Sequence, residues 1–269
     1  MLFRNAAVPS WIHYCSIKVR QMIMIFKTLA KLPLSILNGK TNIGFCPICE
    51  HRTLFVRQTE WLRDHYFCVF CWSIPRQRAL IKVLHAEYPD WRQLKIYESS
   101  PSGASSRKLQ KECSHYLSSQ YYPDVEPGVS KRGFRCENLE KLTFEDGTFD
   151  LVITQDVFEH VLHPVPAFRE IRRILKPGGA HIFTLPIYKG KKTVVRAVGE
   201  SNEIENLLEP MYHGNPVDKK GSLVVTDWGD DLLDFIHTNS GMTTGIFTFR
   251  DRSQGLEAEF LDVFVSKKE

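Results

Sequence analysis

Residues 142–186 read LTFEDGTFDLVITQDVFEHVLHPVPAFREIRRILKPGGAHIFTLP. Residues 149–154 are apolar at four of six positions and on both faces of the predicted strand, which is typical of a central parallel strand that is covered on both sides. Residues 180–185 have the same character. Between the two runs, apolar residues recur at helical spacing, at Val165, Phe168, Ile171, Ile174 and Leu175. A strand, a helix and a second strand in this order predict a parallel sheet with right-handed crossovers.

The same alternation continues on both sides of this stretch. The other predicted elements are strands at residues 94–98, 115–118, 133–137, 245–251 and 259–266, and helices that begin near residue 105 and cover residues 230–239. The fold class that follows is α/β, a doubly wound sheet over residues 91–269.

The composition excludes several classes of protein. The 269 residues are 43% hydrophobic and 25% charged, which is ordinary for a globular protein and excludes disordered and collagen-like chains. The longest early apolar run, residues 22–26, is far shorter than the ~20 residues that span a bilayer. No secretory cleavage pattern follows it. We therefore expect a soluble, cytoplasmic protein without a transmembrane segment.

Charge is distributed unevenly along the chain. Residues 1–90 carry 12 Lys and Arg against 5 Asp and Glu, whereas residues 91–269 carry 23 against 26. A basic front half suits RNA or another polyanion, and solvated surface side chains are the favoured alternative.

Four of the seven cysteines form two pairs with the spacing of a metal site. Cys46 and Cys49 are separated by two residues, as are Cys68 and Cys71, and 18 residues separate the pairs. This spacing lets four thiolates surround one tetrahedral ion, so a structural Zn²⁺ in a zinc-ribbon-like module is expected. A redox pair or buried free thiols are the alternatives.

These patterns divide the chain into four parts. Residues 1–40 are expected to form an N-terminal helical extension, residues 41–75 a zinc-ribbon-like cysteine module, residues 76–90 a connecting helix, and residues 91–269 the α/β domain. Apolar residues within 11–29 suit a helix that packs on the cysteine module, and peripheral contact with a membrane surface is the alternative.

Residues 142–160 resemble the fourth-strand region of class I methyltransferases that use S-adenosylmethionine. Residues 168–186 resemble the next helix and the fifth strand of that family. The resemblance implies a Rossmann-like sheet with an antiparallel terminal strand, and S-adenosylmethionine as the cofactor.

The loop after the first strand departs from the family pattern, in which an acid ends that strand and three glycines follow at alternate positions. Glu98 matches the acid, but Ser100, Ser102 and Ala104 occupy the glycine positions, and Gly103 lies one place out of register. Serine and alanine are small, yet they lack the freedom of glycine to adopt positive φ.

The resemblance implies further cofactor contacts. Asn138 matches the position that meets the adenine edge, and Gln155 or Asp156 would lie near the sulfonium. The family usually places an acid after the second strand, whereas this chain has Ser-Ser-Gln at residues 118–120. A loop cap or turn is the structural alternative for each polar residue.

Methyl transfer is an in-line displacement, and it needs a base only where the acceptor must lose a proton. His160 follows the fourth strand, and Tyr212 and His213 lie in a turn-rich segment suited to covering a substrate. We take these three as the catalytic candidates, although Glu159 and His160 equally suit the start of a helix. No second metal site is indicated.

The sequence thus favours S-adenosylmethionine-dependent methyl transfer to a small-molecule or glycan acceptor, with RNA less favoured. The altered loop leaves one alternative from another class, a catalytically inactive binding or scaffold protein on the same fold.

Overall fold

A computed structural model of the chain describes residues 40–200, 203–214 and 220–269. Residues 1–39, on which the predictions of an N-terminal helix and a membrane contact rest, lie outside the described residues. The helices are α1 (Leu62–His65), α2 (Pro75–Glu87), α3 (Gly103–Glu112), α4 (Pro164–Ile174) and α5 (Leu232–Ser240). Within the described ranges, no helix combines the length and apolar character that crossing a membrane requires.

The strands are named in chain order. They are β1 (Thr41–Cys46), β2 (His51–Arg57), β3 (Tyr66–Cys68), β4 (Ile96–Ser99), β5 (Tyr116–Gln120), β6 (Ser130–Lys131), β7 (Phe134–Cys136), β8 (Phe149–Gln155), β9 (Leu175–Thr184), β10 (Ile187–Tyr188), β11 (Val194–Val195), β12 (Ala197–Glu200), β13 (Glu203–Asn206), β14 (Tyr212–His213), β15 (Ser222–Leu223), β16 (Thr226–Gly229), β17 (Thr243–Phe247) and β18 (Val263–Lys267). Single 3₁₀ turns cover Trp91–Gln93, Phe158–His160 and Arg252–Gln254.

The central sheet has eight strands in the order β17-β18-β9-β8-β4-β5-β7-β6. Strands β7, β5, β4, β8 and β9 run parallel to their neighbours within this group. Strand β18 is antiparallel to β9, and β17 is antiparallel to β18. The predicted doubly wound sheet with an antiparallel terminal strand is therefore confirmed. We call the edge at which the parallel strands end the carboxyl edge, where ligands bind in open α/β sheets.

Strand β8 lies at the centre because its side chains are apolar on both faces. Leu151, Val152 and Ile153 are at most 1% exposed, and they pair with β4 on one side and β9 on the other. Helix α4 then begins at Pro164, whose missing N–H is one that a first helical turn leaves unpaired. Helix α5 ends at Gly241, which has φ +71° and forms the left-handed cap that favours glycine.

The cysteine module, residues 41–75, contains a three-stranded antiparallel sheet in the order β1-β2-β3. Its Phe55 and Tyr66 belong to the same apolar core as Leu80 of α2 and Ile153 of β8. The buried Arg78 guanidinium donates hydrogen bonds to the carbonyl groups of residues 66, 73 and 255. The module and the central sheet thus share one core.

The segment between β9 and α5 forms short strands beside the carboxyl edge. Strands β12 and β13 form one hairpin, and β14 and β15 pair in another. The Val225 N–H donates to the carbonyl oxygen of Glu159 at 2.8 Å, which attaches this segment to the 3₁₀ turn after β8.

Candidate functional site

The loop between β4 and α3 contains two residues in the left-handed region. Ser100 has φ +55° and Gly103 has φ +75°. The Ser100 N–H donates to the Ser119 carbonyl oxygen at 2.9 Å, so pairing with β5 holds the serine in this conformation. Ser100 thus adopts positive φ although serine lacks the conformational freedom of glycine.

Helix α2 packs closely against Gly103, the glycine that lies one place out of register with the family pattern. A Cβ atom at this position would lie 1.8 Å from Nε2 of Gln77. Oε1 of Gln77 accepts a hydrogen bond from the Ala104 N–H at 3.3 Å, at the start of α3. The helix that follows the cysteine module therefore helps to shape the loop.

Glu98 is fully buried below this loop and has three hydrogen-bond donors. The Ser106 hydroxyl and Nε2 of Gln155 each donate to Oε1 at 2.8 Å, and the Tyr116 hydroxyl donates to Oε2 at 2.6 Å. Burial raises the pKa of Glu98 despite these donors. Glu98 and Gln155 therefore stabilise the loop. Ser102 belongs to the same hydrogen-bond network, because its N–H donates to the Ser106 hydroxyl at 2.8 Å.

Asp156 lies at the carboxyl edge with φ +53°, and its carboxylate is ion-paired. Nη2 of Arg63 lies 2.7 Å from Oδ1, and Nε of Arg76 lies 2.8 Å from Oδ2. Although burial alone would raise it, the two guanidinium groups lower the pKa of Asp156 to about 2. Two arginines of the N-terminal elements thus hold the group that the resemblance places near the sulfonium.

Asn138 follows β7 at the same edge and is half-buried. Its Oδ1 accepts a hydrogen bond from the Glu140 N–H at 3.0 Å, which closes a turn. This contact engages the oxygen of the amide. Asn138 lies two strands away from the loop at Ser100 in the sheet order.

The structure brings together two of the three catalytic candidates. The rings of His160 and His213 are perpendicular, with centroids 5.1 Å apart. Oε1 of the buried Glu159 lies 3.9 Å from Nε2 of His160 and 3.7 Å from Nδ1 of His213. Tyr212 is 57% exposed and lies at the surface beside this cluster.

The four paired cysteines also meet. Their sulfur atoms all lie within 4.8 Å of one another, with Cys46 and Cys71 separated by 3.6 Å and Cys49 and Cys68 by 3.8 Å. A tetrahedron with Zn–S bonds of about 2.3 Å has edges of about 3.8 Å. A disulfide, by contrast, needs about 2.05 Å. The donor set and its spacing fit a tetrahedral zinc ion.

Each cysteine pair lies in the same kind of turn. The N–H of Glu50 donates to the Cys46 carbonyl oxygen at 2.8 Å, and the N–H of Trp72 donates to that of Cys68 at 2.9 Å. Glu50 and Trp72 both have positive φ, +57° and +61°. The two turns therefore have the same backbone conformation at equivalent positions.

A cavity of about 330 Å³ lies beyond the 3₁₀ turn after β8. Its lining is mostly apolar and includes Leu162, His163, Val198, Trp228 and Phe235. It is formed by the start of α4, by α5 and by residues between β9 and α5.

Several residues of this region carry little signal in the sequence. Glu159 suits the start of a helix, and sequence reasoning gives Arg63, Arg76 and Gln77 no role. Their contacts join segments 27 to 93 residues apart in the chain. The one local signal is that Glu159 and His160 are adjacent ionisable residues directly after a buried strand.

Known methyltransferases share sequence with parts of this chain. Residues 101–183 match the methyltransferase domain family. An uncharacterized methyltransferase of Schizosaccharomyces pombe is 43% identical over 51 residues, which cover 19% of this chain and 18% of that protein. A mitochondrial 2-methoxy-6-polyprenyl-1,4-benzoquinol methylase of Caenorhabditis elegans is 28% identical over 107 residues, which cover 39% of this chain and 32% of that protein. The chain thus spans less than a third of either relative.

Among solved structures, an S-adenosylmethionine-dependent methyltransferase from Mesorhizobium loti aligns with a TM-score of 0.47 and 16% identity, over 71% of this chain and 98% of that chain. The family match covers nearly all of the chain from α3 to β9, and the sheet has the antiparallel terminal strand that the resemblance implies. Residues 101–183 thus match a methyltransferase domain, on a sheet whose strand order agrees with the one that the resemblance to class I S-adenosylmethionine-dependent methyltransferases implies.

Proposed function

We propose that this protein binds S-adenosylmethionine at the carboxyl edge of β4, β5 and β8 and transfers its methyl group to a small-molecule or glycan acceptor. The observation that carries the proposal is the loop at residues 99–103. Ser100 and Gly103 have the left-handed backbone that a glycine-rich loop uses for close approach to a ligand, although only one of them is glycine. The serine and alanine residues at the family's glycine positions therefore still allow the loop to approach the cofactor closely.

The bound cofactor would supply a methyl group on a positively charged sulfur. The residues of this chain would then position the two reactants. The Ser100 loop and Asn138 would hold the cofactor, and the cavity beside Trp228 would hold the acceptor. His160 and His213 would accept a proton from an acceptor group that must lose one. Orientation of the reactants accounts for most of the catalysis in such a displacement, up to about 7–11 kcal/mol.

The distribution of positive charge supports a small acceptor over RNA. Arg57 pairs with Glu257, Arg63 and Arg76 pair with Asp156, and Arg78 is buried against backbone carbonyl groups. These side chains belong to the basic front half of the chain, and internal contacts engage them. They are therefore less available to an external phosphate.

We also propose that the Cys46, Cys49, Cys68 and Cys71 cluster binds a structural Zn²⁺. All four thiolates would be ligands, so no coordination position would remain open for a substrate. The Thr53 hydroxyl lies 3.3 Å from the Cys68 sulfur and that of Ser73 lies 3.1 Å from the Cys71 sulfur, where they would orient the ligands. A cytoplasmic location, where such thiols stay reduced, remains part of this proposal.

Calorimetric titration of the zinc-loaded protein with S-adenosylmethionine and S-adenosylhomocysteine tests the cofactor proposal. We expect saturable binding of one ligand per chain. Asn138→Ala should weaken binding about tenfold, the equivalent of about 1.4 kcal/mol, because one hydrogen-bonding side chain is lost. The matched control Asn239→Ala, on α5, should bind as the wild type does. No binding at millimolar ligand would overturn the proposal and favour the scaffold alternative.

A further inference from the structure

Glu159 is a buried carboxylate that has no hydrogen-bond partner among the described residues. It is 2% exposed, and neither Oε1 nor Oε2 has a partner within the described part of the chain. Burying an ionised carboxylate costs several kcal/mol unless a cation or donors compensate it. A positively charged partner would therefore stabilise the Glu159 carboxylate at this position.

Arginine does not meet this need. Arg76 interacts electrostatically with Glu159, but the Arg76 guanidinium is ion-paired with Asp64 and Asp156. Asp156 itself is held by Arg63 as well. The guanidinium groups of Arg63 and Arg76 are thus engaged by other carboxylates.

His160 presents a lone pair to Glu159. Its Nδ1 donates a hydrogen bond to the Leu223 carbonyl oxygen at 2.7 Å, so Nδ1 carries the proton of the neutral ring. Its Nε2, which faces Oε1 of Glu159 at 3.9 Å, is then an acceptor. This separation is too long for a hydrogen bond. Two acceptors facing each other across this gap leave room for an ion.

His213 completes a set of three ligand atoms. Its Nδ1 lies 3.7 Å from Oε1 of Glu159, and the three atoms all lie within 4.8 Å of one another. Ligands at about 2.1 Å from a tetrahedral ion are about 3.4 Å apart, so shifts of a few tenths of an ångström close the site for the two measured pairs. The Leu223 carbonyl orients His160 in the way that hydrogen-bond acceptors orient metal-bound histidines.

We propose that Glu159, His160 and His213 bind a divalent transition-metal ion. Two imidazole nitrogens and one carboxylate oxygen form the donor set that suits Zn²⁺ or Fe²⁺, and three protein ligands leave coordination positions open. The side chains of His160 and His213 are 17% and 38% exposed, so those positions face solvent and accept water or an oxygen atom of a substrate. The site departs from the expectation that the chain has no second metal site, and binding of the ion does not depend on methyl transfer. With the ion bound, His160 and His213 are ligands, so a metal-bound hydroxide would take over the role of proton acceptor that the metal-free histidines have in the proposed function.

Metal counting on the full chain tests this site. The wild type and Glu159→Gln are loaded with Zn²⁺, dialysed, and analysed by mass spectrometry for zinc per chain. The variant keeps the shape of the side chain and should hold one ion fewer, whatever the occupancy of the cysteine cluster. His163→Gln is the matched control, because His163 lies near the cluster but outside it, with Nε2 3.6 Å from Glu200.

Loading with Co²⁺ separates the two sites by their spectra. The cysteine cluster gives thiolate-to-cobalt charge-transfer bands, whereas the nitrogen and oxygen site gives ligand-field bands alone. Glu159→Gln and His213→Gln should remove only the second set. Equal zinc counts and equal cobalt spectra in the wild type and in both variants would overturn the proposal, and urea unfolding establishes that each variant is folded.

Discussion

Glu98 and Glu159 are two buried glutamates near the same edge of one sheet, with opposite surroundings. Glu98 accepts three hydrogen bonds, whereas Glu159 accepts none from the described residues. The partners of Glu98 come from β5, α3 and β8, all within the central sheet and its first crossover. Glu159 faces histidines on a turn and on a later hairpin. Burial alone therefore does not determine the role of a carboxylate. The groups that surround a buried carboxylate determine whether it supports the fold or binds a ligand.

Asp156 lies between these extremes. It is as close to the edge as the two glutamates, and arginines from outside the sheet compensate its charge.

The largest effect is expected at Glu98. Glu98→Ala leaves the Ser106, Tyr116 and Gln155 donors without an acceptor and opens a cavity, so the free energy of unfolding should fall by about 3–5 kcal/mol. Urea unfolding measures the loss. The control Glu98→Gln keeps one acceptor oxygen and should lose less. Equal losses in the two variants would contradict the role assigned to the three hydrogen bonds.

A second effect concerns acid. The pKa of Asp156 is about 2 in the folded state and about 3.9 when unfolded, so the unfolded chain binds more protons in this interval. Stability from this group is full above pH ~4 and is lost as pH falls toward 2, by about 2 kcal/mol in total. Urea unfolding of the wild type and Asp156→Asn across this range measures it, and the variant should show a shallower decline. Parallel curves would refute the assignment.

The smallest effect is expected at Glu159, and its sign is reversed. In protein purified without added metal, Glu159→Gln removes an uncompensated buried charge and should raise the free energy of unfolding by about 1 kcal/mol. Addition of Zn²⁺ should then stabilise the wild type more than the variant, because both retain the cysteine cluster and only the wild type retains all three ligands of the second site. Thermal unfolding with and without Zn²⁺ measures both. A loss of stability in the metal-free variant would mean that Glu159, like Glu98, supports the fold.

Much of the fold was predictable, because local apolar periodicity indicates β8, α4 and β9. The end of α5 was equally accessible, since Gly241 is the residue that a left-handed cap requires. The cysteine spacing likewise predicted the approach of the four sulfur atoms. Each of these signals lies within a short stretch of sequence.

The rest of the site depends on contacts between distant segments. Ser100 adopts positive φ because β5 holds its N–H, and residue type alone argues against that conformation. His213 reaches Glu159 from a hairpin more than 50 residues further along the chain. Nothing in the local sequence of Asp156 shows that two arginines will bind it. These partners are determined by the packing of the whole chain.

The contacts of the Arg78 guanidinium constrain how the cysteine module can change in evolution. It donates hydrogen bonds to carbonyl groups in the third strand of the cysteine module, just before its own helix and in the last loop before β18. A cysteine module transplanted from another enzyme would therefore need to bring an equivalent cation and meet an equivalent loop. We therefore expect sequence changes at position 78, in the module and in the loop before β18 to be coupled.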